Sequence, residues 1–210
     1  MKVILFDFDG TIVDSVQVGI AITNRLAAEF HFPPFDEETL EELKKLGSRE
    51  ALRRSRIPVW KLPFLIRRFA EELNREIPSL QLFPEMRQTL LELKQQGYLL
   101  GIVSTNSVKN IQEFLRIQAL TSMFDVVSAS YALFGKSRLI RKILQQHRLQ
   151  ASEVYYVGDE TRDIEAANKS GVQSIAATWG LNSAEILAAN HPNFLIHSPK
   201  ELLTLIVDKA

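Results

Sequence analysis

The chain has 210 residues, enough to bury a full hydrophobic core, and its size suits one domain carrying a modest insertion. Lysine plus arginine and aspartate plus glutamate number 25 each, so no net field favours nucleic acid or an anionic membrane surface. Cysteine is absent, which excludes disulfides, thiolate catalysis and cysteine-based zinc sites. No apolar run is long enough to span a bilayer, and a cytoplasmic protein is the expectation.

The run Val3-Ile4-Leu5-Phe6 is continuous, apolar and rich in β-branched and aromatic side chains. It predicts a strand buried on both faces, of the kind found at the centre of a parallel sheet. The strand ends at Asp7 and Asp9, and Gly10-Thr11 lets the chain turn sharply after them. Apolar residues at helical spacing predict a helix over 16–30, broken by Phe32-Pro33-Pro34. Asp36 is a candidate N-cap for a helix over 36–46, which Gly47-Ser48-Arg49 interrupts. Further helical pieces are expected at 49–56 and 62–76, divided near Pro58 and Pro63. No strand is expected between 16 and about 80, so this block is predicted to be an inserted helical cap over 16–79, with a core made of 1–15 and 80–210.

Pro84 suits a helix start, with Gly97 as the stop. Strands are then predicted at 98–104, 125–128, 154–157, 174–177 and 194–196. Helices are predicted at 108–117, from Gly135-Lys136-Ser137 to about 147, at 161–170 before Gly171, at 182–190, and from about 199 onward. This alternation argues for a Rossmann-like, doubly wound, mainly parallel α/β sheet, whose right-handed crossovers bring the strand ends to one rim. Three of those ends carry unusual polar residues, at 7–11, 104–107 and 158–163.

Two carboxylates as close as Asp7 and Asp9 repel one another, and a hard divalent cation is the economical remedy. Mg²⁺ in particular prefers few carboxylates together with waters and phosphate oxygens. Thr105 and Asn106 stand where a hydroxyl and free backbone amides cradle phosphate, although a simple N-cap uses the same residues. Lys136 lies at a helix start, where the dipole disfavours a cation, so it calls for a local anion unless it is a solvated surface lysine. Asp159 and Asp163 read equally as an N-cap and a first-turn charge when taken alone. His31, His147, His191 and His197 show no ligand spacing. Trp179-Gly180 either lines the rim or packs beneath the cap.

D-x-D-G-T after an apolar strand resembles the first motif of the haloacid dehalogenase superfamily, in its phosphatase branch. The remaining motifs follow in the family's order: Thr105 with Asn106, then Lys136, then G-D-x-x-x-D at 158–163. The resemblance implies that Asp7 is the nucleophile and a metal ligand. It makes Asp9 the general acid and base, with its backbone carbonyl on the metal. Asp159 would complete the Mg²⁺ shell and Asp163 would orient water or Lys136. Thr105, Asn106 and Lys136 would bind phosphate, with Ser104 as the hydroxyl if the register differs by one. The cap would be of the all-helical C1 type. Gly47-Ser48-Arg49 resembles the specificity loop of the phosphoglycolate phosphatase and β-phosphoglucomutase branch, so Arg49 either reaches an anionic group of the substrate or is an exposed residue at a helix junction.

The implied activity is Mg²⁺-dependent hydrolysis of a small phosphorylated metabolite, phosphoglycolate-like, through an aspartyl-phosphate, by a monomer or homodimer. A hexose-phosphate mutase of the β-phosphoglucomutase type competes. That branch usually carries a histidine about twelve residues past the nucleophile, and Gly19 stands there. A dehalogenase would lack the second acid, Asp9. A non-catalytic binding or regulatory protein on the same fold is the alternative from another class, against which the four intact motifs argue.

Overall fold

Four consecutive apolar residues, Val3–Phe6, form β1, and all four are buried. The computed structural model of the protein describes residues 2–55 and 57–207. Met1, Arg56 at the expected end of one cap helix, and 208–210 at the end of the expected core lie outside the described residues. Side chains alternate along a strand, so β1 feeds two apolar cores. Ile4 and Phe6 join the larger cluster, while Val3 and Leu5 join a smaller one. A strand buried on both faces needs cover on both, and helices pack on either side of the sheet.

The other strands are β2 (Leu99–Ser104), β3 (Val126–Ala129), β4 (Val154–Gly158), β5 (Gln173–Ala177) and β6 (Phe194–Ile196). All pairings are parallel, and the order is β3-β2-β1-β4-β5-β6. Val3 lies opposite both Leu99 and Val154, so β1 is central and its two neighbours start level with it. The fold is therefore the doubly wound α/β architecture that the alternating pattern predicts. The chain moves outward from β1 to β3, then returns to place β4 on the other side of β1. Open α/β sheets bind ligands at such a reversal, beyond the carboxyl ends of the strands.

Between the first and second strands every regular element among the described residues is helical. The α-helices there are α1 (Val16–Phe30), α2 (Glu37–Lys44), α3 (Ser48–Arg54), α4 (Leu62–Glu76) and α5 (Met86–Gln95). Ion pairs Arg68–Glu29 and Arg25–Glu76 run along the α1–α4 seam. The segments entering and leaving the 16–79 block run side by side, with Asp14 N donating to Gln81 O at 2.9 Å and Phe83 N to Ile12 O at 3.2 Å. Helix α5 begins two residues later than Pro84 suggests, because Glu85 adopts the left-handed conformation (φ 63°).

Helices α6 (Val108–Ile117), α7 (Lys136–His147), α8 (Thr161–Ser170), α9 (Ala184–Ala189) and α10 (Glu201–Val207) complete the fold. Leu90 of α5, Phe114 of α6 and Leu202 of α10 contribute to the larger core, while Ile140 of α7 and Ala167 of α8 contribute to the smaller. Helix α8 stops at Gly171, as its sequence predicts, but its N-cap is Glu160, in a capping box with Asp163, and not Asp159. Helix α9 begins at Ala184 instead of Asn182, because the Asn182 side chain is used elsewhere. Its Oδ1 accepts from Thr161 N at 3.0 Å, and its Nδ2 points to the carbonyls of Lys44 and Leu46, both at 3.3 Å.

Candidate active site

Asp7, Thr105 and Asp159 each follow directly on the last residue of one of the three central strands. Asp7 and Asp159 thus come together from β1 and β4 although 152 positions (159 minus 7) separate them. Helix α8 returns Asp163 to the same point, and Asp7, Asp159 and Asp163 each offer a carboxylate oxygen within 4.8 Å of the others. All three are buried. Lys136, at the start of α7, donates to Asp7 Oδ2 at 2.5 Å and to Asp163 Oδ1 at 2.6 Å. Burial alone would push this ammonium down, but Asp163 and Asp7 outweigh it and hold it above its ordinary value. The anion that the helix-start position of Lys136 requires is therefore a pair of aspartates.

Asp159 is the group left with excess negative charge. Thr11 Oγ1 and Leu181 N donate to its two oxygens at 2.7 and 2.8 Å, and among the described residues no ammonium pairs with it. Its carboxyl is pushed well above the ordinary range by burial and then by Glu160, Asp7 and Asp163. The chain also crowds it: a Cβ on Gly10 or on Gly180 would stand 2.3 Å from Asp159 Oδ2, and Gly10 has φ +76°. An oxygen-only set of three buried carboxylates with surplus charge suits a hard divalent cation, so these residues fit a metal.

Asp9 lies outside that trio. Its carboxylate accepts from Ser15 Oγ at 3.0 Å and from Asn106 Nδ2 at 2.9 Å. Burial raises its proton affinity, against the lowering effect of those two bonds. Ser15 precedes α1 but forms no capping bond, because its hydroxyl is given to Asp9. Asn106 is held in turn by Asn110, whose Nδ2 reaches Asn106 Oδ1 at 2.9 Å and Ala70 O of α4 at 2.7 Å. The Ser104 hydroxyl is buried and accepts from Asn106 N, whereas Thr105 lines the cavity.

That cavity measures about 370 Å³ and lies between the 16–79 helices and the strand ends. Asp9, Thr105, Asp159 and Arg162 are on its polar side, and Val16, Phe35, Leu52 and Phe69 are among the apolar groups opposite. Gly19 also lines it, and none of the four histidines does. Two hydrogen bonds, at the start of α3 and the end of α2, join the helices to the rim. Ser48 N donates to Thr161 Oγ1 at 2.7 Å, and Ser183 N donates to Lys44 O at 3.0 Å.

Arg49 lies beyond this lining. Its guanidinium bonds to Glu165 of α8 at 2.7 and 3.2 Å, lies 4.2 Å from the Phe134 ring centre, and is 57% exposed. Arg162 was not among the candidates from sequence, yet its side chain is largely buried and paired with Glu160. A signal for it existed: like Lys136, it is a cation in the first turn of a helix, where the dipole disfavours it. Thr11, the last residue of the first motif, also has a contact that spacing does not reveal, on Asp159.

Comparison with known proteins places this geometry. Residues 4–177 match the model of the haloacid dehalogenase-like hydrolase family. A phosphoglycolate phosphatase of Synechococcus elongatus is 39% identical over 206 residues, 98% of this chain and 97% of the relative. One of Vibrio parahaemolyticus is 28% identical over 223 residues, covering 100% of this chain and 98% of the relative. The structure of a haloacid dehalogenase-like family hydrolase from Streptococcus pneumoniae aligns with a TM-score of 0.79 at 25% identity, covering 98% of both chains. A buried acidic trio with its lysine at the switch point of this sheet, and full-length similarity of this kind, lead to one conclusion: the chain belongs to the haloacid dehalogenase-like hydrolase family and is an enzyme of its phosphatase branch.

Proposed function

We propose that the protein is a Mg²⁺-dependent phosphomonoester hydrolase of small phosphorylated metabolites, with phosphoglycolate the first candidate, acting through an aspartyl-phosphate. The observation that carries this reading is the convergence of Asp7, Asp159 and Asp163 with Lys136 beneath a cavity that also receives Asp9 and Thr105. Phosphoryl transfer needs positioning and charge neutralisation above all, and both are available there.

Asp7, Asp159 and the Asp9 carbonyl would hold the cation, with Asp163 beside them. Bound there, Mg²⁺ supplies positive charge against the phosphoryl oxygens and the entering carboxylate. The Asp7 carboxylate attacks phosphorus and the ester oxygen leaves, taking a proton from Asp9. The raised proton affinity of Asp9 suits it to be the acid in this first step. Asp9, now ionised, removes a proton from water, which attacks phosphorus and releases orthophosphate and the Asp7 carboxylate. Lys136, Thr105 and Asn106 bind the transferred group, and Asn106 also fixes the direction of Asp9. Asp163 orients Lys136.

In this reading the 16–79 helices are the cap and the rest is the core. The cap excludes bulk water and reads the leaving group, and Arg49 lies in the first turn of α3, next to the Ser48 contact through which the cap docks. Gly19 in the cavity wall, where a mutase would carry its histidine, favours hydrolysis over transfer to a second hydroxyl.

The test is turnover of a chromogenic aryl phosphate and of a panel of phosphorylated metabolites, with and without Mg²⁺, by the wild type and Asp7→Asn. Turnover that requires Mg²⁺ and disappears in a folded Asp7→Asn variant is expected. Normal turnover by that variant, or none by the wild type on any phosphomonoester, overturns the reading.

A further inference from the structure

Arg162 is a largely buried cation, among the described residues, that the scheme above leaves without a task. Its side chain is 10% exposed and pairs with Glu160. Its Nη1 donates to Leu133 O at 3.2 Å and lies 3.5 Å from Thr105 Oγ1, and its buried Nε has no hydrogen-bond partner. A guanidinium placed against the dipole of α8, with one donor unsatisfied, is costly unless a further acceptor enters. The residue also lines the cavity beside Thr105, the hydroxyl assigned to phosphate, and its planar fork of donors matches phosphoryl oxygens.

We propose that Arg162 is a ligand of the substrate's phosphoryl oxygens, and that Glu160 is an internal anion occupying the guanidinium until phosphate arrives. The proposal rests on the phosphatase reading. Exchange does not strand Glu160: its Oε2 accepts from Ser48 Oγ at 3.3 Å, and its side chain also caps the first turn of α8. Phosphate and Glu160 therefore compete for one guanidinium, and substitutions on the two sides of the pair act with opposite sign.

Orthophosphate binding to the Mg²⁺-loaded enzyme, measured by titration calorimetry and as competitive inhibition of aryl phosphate hydrolysis, tests this. Arg162→Gln weakens orthophosphate about tenfold or more, the loss of a charge-assisted bond. Arg162→Lys, which keeps the charge but not the fork, recovers only part of that. Glu160→Gln, which retains the capping acceptor, tightens orthophosphate. Weakening by both Gln substitutions would mean that the pair only supports the fold, and it overturns the proposal. Unchanged binding in Arg162→Gln, or full recovery in Arg162→Lys, overturns it as well. If the wild type neither binds orthophosphate nor hydrolyses an aryl phosphate, the phosphatase reading falls and this proposal with it; if the wild type does both, only the role of Arg162 is in question.

Discussion

Replacing Lys136 by Met removes the cation that bridges Asp7 and Asp163 while leaving an unbranched side chain in its place. The ammonium lies 2.5 Å from Asp7 Oδ2 and 2.6 Å from Asp163 Oδ1, and none of the three side chains is more than 4% exposed. Breaking a buried pair of this kind costs about 3–5 kcal/mol, because the surviving charges have neither partner nor water. At about 2–4 °C per kcal/mol for a chain of this size, Tm falls by roughly 6–20 °C. The loss also depends on pH. Burial raises Asp163 from 3.8 to about 6, with Lys136 opposing the rise and Asp7 adding to it. A carboxyl with a raised folded value binds its proton more tightly when folded, so its favourable contribution is complete below 3.8 and is lost as pH rises through about 6. Without the ammonium the folded value climbs further, so the deficit of the variant is larger at about pH 8 than at about pH 5. Calorimetric melts of both proteins at these two pH values, with chelator present, make the measurement. A Tm within about 2 °C of wild type at both, or a deficit that grows on acidification, refutes the reasoning.

Asp9→Asn lowers kcat/KM by about 10²–10⁴, and by more for an alkyl phosphate than for a nitrophenyl ester, whose leaving group needs less help from an acid; equal losses on both count against proton donation. Gly180→Ala brings a Cβ to 2.3 Å from Asp159 Oδ2 and 2.4 Å from Gly10 O, so Asp159 must move. The Mg²⁺ concentration for half-maximal activity then rises while the circular dichroism spectrum stays that of the wild type, and an unchanged Mg²⁺ requirement would show that Asp159 is not a ligand. Arg49→Ala leaves Tm close to wild type, since its pair with Glu165 is largely exposed. It lowers kcat/KM for the natural substrate more than for an aryl phosphate, and equal effects exclude a role in specificity.

Period and punctuation determined much of this protein before any folding was considered. Helices α1, α4, α6 and α8 begin and end where apolar spacing, Pro33 and Gly171 say they should, because those signals act within a few residues. The unbroken apolar run of β1 already required a parallel sheet covered on both faces, and acids after β1 and β4 pointed to the rim. What the chain could not disclose locally was which side chain answers which. Asn182 looked like a helix start and is a cross-link to Thr161, Lys44 and Leu46. Asn106 turns to Asp9, Arg49 turns outward to Glu165, and Arg162 turns inward to Glu160. Each of these choices depends on burial and on charges brought near by strand order. Residues 7, 136, 159 and 163 become one electrostatic unit only after the sheet reverses beside β1, so their partners, and the proton affinities of Lys136, Asp159 and Asp163, belong to the tertiary structure alone.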